Sequence, residues 1–171
     1  MNYKYGIIGG TDGRLDMTTA ERLVKRLAEA GMTCATAESC TGGGIGSAIT
    51  SVPGASAVYW GGVVSYDNSV KHAVLGVPEE VLATVGAVSS ECAAFMAEGA
   101  RHLLKTDIAV STTGIAGPDG GSDEKPVGLV WFGLATAVGI TTESKVFPGD
   151  RAAVRAAAVE HALQLLASAA G

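Results

Sequence analysis

The stretch Ala37-Glu38-Ser39-Cys40-Thr41-Gly42-Gly43-Gly44 joins an apolar segment to a helical one through three consecutive glycines. Residues 32–37 before it are typical of a short buried strand, and residues 45–51 after it predict a helix. Glycines have no β-carbon, so a negatively charged oxygen can approach the free amide groups at the helix start closely. The junction therefore indicates an oxyanion hole or a phosphate site, with two hydroxyls and a thiol beside it.

Helix and strand patterns alternate along the rest of the chain. Helices are predicted from a cap at Thr18 or Thr19 to residue 30, over 69–75 and 78–82, from a cap at Ser89 or Ser90 to residue 104, and over 151–169 after Asp150. Strands are predicted over 57–66, 106–113, 127–135 and 141–147, the last two as a hairpin. We expect an α/β fold, a three-layer α/β/α sandwich on a mixed, mostly parallel sheet with a C-terminal antiparallel hairpin.

The length and hydrophobicity of the chain predict one domain. A chain of 171 residues with 47% hydrophobic residues can bury a single substantial core, which we place at residues 17–171. Residues 1–16 are interpreted as an N-terminal extension with at most a short strand over 3–10. The glycines at 9–13 do not have the spacing of a dinucleotide-binding turn.

Charge and cysteine content exclude several classes of protein. The net charge is −5, and the 12 lysines and arginines are scattered, which argues against nucleic acid as a partner. No apolar run approaches the roughly 20 residues that span a bilayer, so no membrane association is expected. Three cysteines without metal spacing indicate free thiols in a reducing compartment, and we expect a cytoplasmic protein.

The candidate nucleophile and base lie on two separate segments. Ser39 and Cys40 are neighbours, and in extended backbone their side chains point to opposite faces, so one pocket takes only one of them. Lys71 and His72 are the candidate proton acceptors after the next predicted strand. A lysine can act as a base at neutral pH only if burial lowers its pKa by about three units. Both choices stay open from the residues alone.

Several motifs together resemble the CinA C-terminal domain family. They occur in the family's order and cover roughly residue 17 to the C-terminus: the stretch 35–43, the segment Tyr66-Asp67-Asn68-Ser69-Val70-Lys71, the segment 86–89, the glycine-rich stretch 113–121 with 125–128, and Gly149-Asp150-Arg151. The resemblance implies a hydrolase that converts the carboxamide of nicotinamide mononucleotide to the acid and releases ammonia. It also implies a site without metal or cofactor.

The resemblance also implies roles for particular residues. Ser39 looks like the nucleophile, Lys71 like its base, and Tyr66 like a neighbour that relays a proton or orients the amide. The resemblance implies that the oxyanion is bound at Thr41, Gly42 and Gly43. It implies that the ribose and phosphate are bound at Thr112, Thr113, Gly114, Gly117 and Arg151.

Two rival functions stand beside this hypothesis, and one residue departs from the family pattern. The rivals are a pyridine-nucleotide-binding module without catalysis and an interaction protein associated with competence or DNA damage. Asp67 stands where the family usually has serine, and a carboxylate facing the pocket would raise the pKa of Lys71. The expected partners are a small nucleotide substrate and further copies of the chain, in a homodimer or larger assembly.

Overall fold

The computed structural model describes residues 17–170. The extension at residues 1–16, with the strand predicted over 3–10, lies outside the described residues. The described chain has six α-helices and five strands. In chain order they are α1 (Thr19–Ala30), β1 (Cys34–Glu38), α2 (Gly44–Thr50), β2 (Tyr59–Val64), α3 (Asn68–Leu75), α4 (Glu79–Thr84), α5 (Ser90–Leu104), β3 (Ile108–Gly114), β4 (Leu129–Thr136), β5 (Gly139–Val146) and α6 (Arg151–Ala169).

The strands form one mixed sheet in the order β2-β1-β3-β4-β5. β1 pairs in parallel with β2 and β3, whereas β4 runs antiparallel to both β3 and β5. Four of the five strands thus point the same way, and β4 with β5 makes the predicted hairpin. In register, Glu38 at the end of β1 lies between Val64 of β2 and Thr112 of β3.

Helices cover both faces of the sheet. α1, α2 and α6 pack on one face, and α5 packs on the other with α3 and α4 beside it. The larger core cluster lies on the first face and includes Leu23, Ile49 and Leu166, while the smaller one, around Met96, lies under α5. The α/β/α prediction is confirmed.

Most helix boundaries follow the local signals in the sequence. Thr18, Ser89 and Asp150 cap α1, α5 and α6 by accepting a backbone N–H on the side chain. β2 is two residues shorter at each end than the strand predicted over 57–66, because a single 3-10 turn, Ala55–Ala57, includes the first predicted residue and the strand stops at Val64. Gly54, with φ of +87°, sets up that turn in the left-handed region that glycine tolerates.

The topology brings three strand ends to one edge of the sheet. β1, β2 and β3 are parallel, so residues that follow Glu38, Val64 and Thr113 meet there. The chain leaves β1 toward β2 on one side and returns to β3 on the other, which is the arrangement in which open α/β sheets form ligand sites. No helix of the described residues is long and apolar enough to cross a membrane.

Candidate active site

A small polar cavity of about 180 Å³ lies at the carboxyl ends of the three parallel strands. It brings together the catalytic residues that the sequence predicts, Ser39, Lys71 and Tyr66, although 32 positions separate the first two. The lining is completed by Cys40, Asn68, Ala87, Val88, Thr113, Gly114, Ala116 and Arg151.

Glu38 holds the 39–43 turn from beneath, a role that local sequence signals left open. Its side chain is 1% exposed. Oε2 accepts hydrogen bonds from the Thr41 hydroxyl at 2.7 Å and from the Gly43 and Ile45 amides at 3.0 Å each, and Oε1 accepts one from the Gly46 amide at 2.9 Å. The carboxylate therefore caps α2 and neutralises the positive end of that helix.

We expect Glu38→Gln to lower the free energy of unfolding by about 3 kcal/mol, since hydrogen bonds to a buried charge are strong and an amide NH₂ would face backbone donors. Urea unfolding followed by circular dichroism measures the change. Glu29→Gln is the matched control, because the Glu29 side chain is 65% exposed in a surface pair with Lys25, and its effect should be slight. Equal stability of the two variants would contradict the capping role.

The amide groups of the turn divide into bonded and free donors. The Gly42 amide donates to Ser39 O at 3.1 Å, and the Gly43 amide donates to Glu38. These two glycines therefore do not offer free donors to an oxyanion, contrary to the role that the family resemblance implies. Within residues 17–170, the Cys40 and Thr41 amides donate to no backbone carbonyl. Cys40 lines the cavity, so its amide is the candidate oxyanion donor, whereas Thr41 is completely buried and does not line the cavity.

The predicted threonines support the site from within the protein. The Thr41 and Thr112 hydroxyls are 2.8 Å apart, and both residues are completely buried. The Thr113 hydroxyl donates to Ala87 O at 2.7 Å, which ties β3 to the segment before α5. Thr113 lines the cavity, whereas Thr41 and Thr112 hold β1 and β3 together behind it.

Lys71 is 1% exposed, and its amine lies beneath the cavity. Nζ donates to Ser65 O at 2.7 Å and to Tyr66 O at 3.1 Å. A neutral amine has two N–H groups and one lone pair, so these carbonyls take both hydrogens and leave the lone pair for another proton. No hydrogen bond joins Nζ to Ser39 Oγ among the described contacts, and such pairs commonly tighten only when substrate binds.

Burial lowers the pKa of Lys71, with Cys92 and Asp67 acting in the opposite direction. Asp67 does not line the cavity. Its carboxylate caps α3 by accepting from the Ser69 amide and hydroxyl, and these bonds lower the pKa of Asp67. The aspartate at this position therefore serves the helix, and its distant charge only partly offsets the effect of burial on the lysine.

The thiol beside Ser39 is poorly suited to attack. Burial raises the pKa of Cys40 to about 11, so almost none of it is thiolate at neutral pH. Ser39 and Cys40 both contribute to the cavity lining beside Lys71, a candidate base, so the expectation that one pocket takes only one of these neighbours is wrong. The raised pKa of the Cys40 thiol, rather than its position, therefore favours the serine.

Arg151 connects the cavity to a larger pocket. Nη1 donates to Gly117 O at 3.0 Å and Nη2 donates to the Tyr66 hydroxyl at 3.2 Å. A pocket of about 490 Å³ adjoins the cavity, and the two share Ala116 and Arg151. The remaining lining of the larger pocket comes from Pro118, Val127, Gly149, Asp150, Ala152 and Arg155.

One alternative base from the sequence, His72, lies away from the cavity. Its Nδ1 lies 2.8 Å from Val77 O, and its ring faces a separate groove between α3 and α4. Arg155, which sequence reasoning missed, donates to the 39–43 turn from 115 positions away. Within residues 17–170, no group of three or more His, Cys, Asp or Glu side chains is arranged to hold a metal ion.

Comparison with known proteins agrees with this arrangement. The family model described as the CinA C-terminal domain matches residues 16–170. The chain belongs to the CinA C-terminal domain family. The crystal structure of the competence/damage inducible protein CihA from Agrobacterium tumefaciens superposes on this CinA-type chain with a TM-score of 0.86 at 42% identity, covering 88% of this chain and 92% of that one.

Two curated relatives differ in length. The nicotinamide-nucleotide amidohydrolase PncC of Escherichia coli K12 is 50% identical over 157 residues, which are 91% of this chain and 94% of the relative. A CinA-like protein of Geobacter sulfurreducens is 48% identical over 160 residues, 94% of this chain. The CinA-type chain described here spans only 38% of that longer relative.

Proposed function

We propose that the chain is an amidohydrolase that converts nicotinamide mononucleotide and water to nicotinate mononucleotide and ammonia. The observation that carries the proposal is the placement of Ser39 and the buried Lys71, whose pKa is lowered, in one small cavity. A relative that is 50% identical and of similar length is named a nicotinamide-nucleotide amidohydrolase, which supports the choice of substrate.

The proposed reaction proceeds through an acyl-enzyme. Ser39 Oγ attacks the carboxamide carbon as Lys71 Nζ accepts its proton, and the Cys40 amide binds the oxyanion. Collapse of the intermediate breaks the C–N bond, and Lys71 returns the proton to the departing nitrogen as ammonia. Lys71 then deprotonates a water molecule that attacks the ester, and the acid is released with Ser39 restored.

The larger pocket suits the ribose and phosphate of the substrate. Its volume of about 490 Å³ lies in the ordinary range for small-molecule sites. Arg151 stands between the two cavities, and its hydrogen bonds to Tyr66 and Gly117 hold the guanidinium there. In this proposal Arg151 binds the anionic end.

An ammonia-release assay over a panel of amides tests the proposal. The panel contains nicotinamide mononucleotide, nicotinamide riboside, free nicotinamide and a simple aliphatic amide. We expect release from the mononucleotide and far less from the amides that lack phosphate. Binding of the mononucleotide without release of ammonia would instead identify a pyridine-nucleotide-binding module.

The rate should depend on pH through Lys71. Burial lowers the pKa of this lysine, and only the neutral amine accepts a proton, so kcat/KM should rise with pH through the lowered pKa and then level off. The measurement is kcat/KM for nicotinamide mononucleotide in buffers of constant ionic strength. A flat profile between about pH 5 and 9 would contradict the base role of Lys71.

The same group links pH to stability. Between its lowered pKa and its ordinary value of 10.5, Lys71 binds fewer protons in the folded chain than in the unfolded one. This lysine therefore makes the free energy of unfolding rise with pH across that window and contributes its full penalty below it. Urea unfolding at several pH values, compared between wild type and Lys71→Met, isolates this contribution.

A further inference from the structure

Arg155 lies on α6 one turn after Arg151 and reaches the 39–43 turn. Its Nε donates to Cys40 O at 3.2 Å, and its Nη2 donates to Thr41 O at 2.9 Å. These bonds join the last helix to the end of β1 across 115 and 114 positions in sequence. The guanidinium thus holds two successive carbonyls of the turn that carries the proposed nucleophile.

The carbonyls fix the direction of the free amides. In a trans peptide the C=O and the following N–H point in opposite directions, and the peptides of this turn are trans. Cys40 O belongs to the same peptide group as the Thr41 N–H, so its bond to Arg155 aims that N–H away from the arginine. Ser39 O, held by the Gly42 amide, does the same for the Cys40 N–H.

We propose that Arg155 is a positioning residue that fixes the turn after Ser39 and thereby orients the amide of Cys40, which lines the cavity, as an oxyanion donor. This inference rests on the proposed amidohydrolase function. Glu38 holds the opposite side of the turn through the Thr41 hydroxyl and the Gly43 amide. The turn is thus held between a carboxylate that accepts from its donors and a guanidinium that donates to its carbonyls.

The chemistry of the side chain suits this task better than a lysine would. A guanidinium presents several N–H groups in one rigid plane, so it can bond two neighbouring carbonyls at once, whereas an ammonium on a flexible stem is a point donor. Arg155 also lines the larger pocket, so direct binding of the substrate phosphate is the competing role. The two roles predict different kinetic changes.

The test compares kcat, KM and binding for Arg155→Ala and Arg155→Lys. A misdirected oxyanion donor should lower kcat for nicotinamide mononucleotide by about 10- to 100-fold, somewhat less than removal of such a donor costs. KM should change little, and Arg155→Lys should recover part of the loss because it restores one bond. Calorimetry gives the Kd of the mononucleotide in Ser39→Ala with and without Arg155→Ala, and the two values should agree within about threefold, as expected when an interaction acts only in the transition state.

Arg101→Ala is the matched control. Arg101 Nε donates to Asp107 O at 2.9 Å, an equivalent bond at the other end of the sheet, and its loss should leave kcat unchanged. A raised Kd with kcat retained would assign Arg155 to phosphate binding and overturn the inference, as would wild-type kinetics in both Arg155 variants. If Arg155→Ala does not fold, Arg155→Lys decides by the same criteria. A wild-type protein that releases no ammonia would instead refute the proposed function.

Discussion

Ser39→Ala is expected to lower the release of ammonia from nicotinamide mononucleotide by at least about a thousandfold, because no acyl-enzyme can form without the hydroxyl. The hydroxyl lines the small cavity, and alanine removes it without adding bulk. Binding of the mononucleotide should persist, since the larger pocket is unaltered. The measurements are a coupled ammonia assay for turnover and calorimetry for binding.

Ser51→Ala is the matched control for the nucleophile. Ser51 follows α2 and its hydroxyl donates to Ala48 O, outside the cavity, so this variant should keep wild-type turnover. The result that would contradict the assignment is an active Ser39→Ala protein that a thiol-alkylating reagent inactivates. That outcome would make Cys40 the nucleophile despite its raised pKa.

Lys71→Met should also reduce turnover by about a thousandfold or more, because methionine fills the same space but accepts no proton. The residual rate should lose the rise with pH that neutral Lys71 produces in the wild type. The free energy of unfolding should change little, because two opposing effects act on it. Removal of a buried polar amine is favourable, whereas Ser65 O and Tyr66 O lose their donor.

Lys25→Met is the control for loss of a lysine, since Lys25 is 61% exposed and lies on α1. Its kcat and pH profile should match those of the wild type. A Lys71→Met protein that remained folded and kept both the wild-type rate and its pH dependence would exclude Lys71 as the base. Circular dichroism on the same samples establishes that each variant is folded.

The order of helices and strands was predictable because its signals are local. Asp150 caps the last helix and Gly31 ends the first in a left-handed conformation, as residue type alone indicates. The predicted start of β2 at Ala57 was two residues early, since Ala57 ends the 3-10 turn and the strand begins at Tyr59. The order of the strands in the sheet was not predictable from such local signals, because it depends on the parallel pairing of β1 with both β2 and β3.

The catalytic candidates could be predicted from the sequence, but the contacts that hold them in place could not. Ser39 and Lys71 each follow a predicted strand, and parallel strands bring such positions together. Nothing local to Glu38 indicates that four donors converge on its carboxylate. Nor does the pattern of α6 distinguish Arg155 from a solvent-exposed arginine, because its partners lie more than a hundred positions earlier.

Because Glu38 already compensates the dipole of α2, attraction for anions at this edge of the sheet is left to the arginines of α6. In the proposed complex, nicotinamide mononucleotide consequently has one favourable polarity, with its cationic pyridinium head toward β1 and its phosphorylated tail toward the last helix. Inhibitors with the same polarity, for instance neutral isosteres of the carboxamide on an intact ribose phosphate, should bind more tightly than molecules that carry their negative charge at the opposite end.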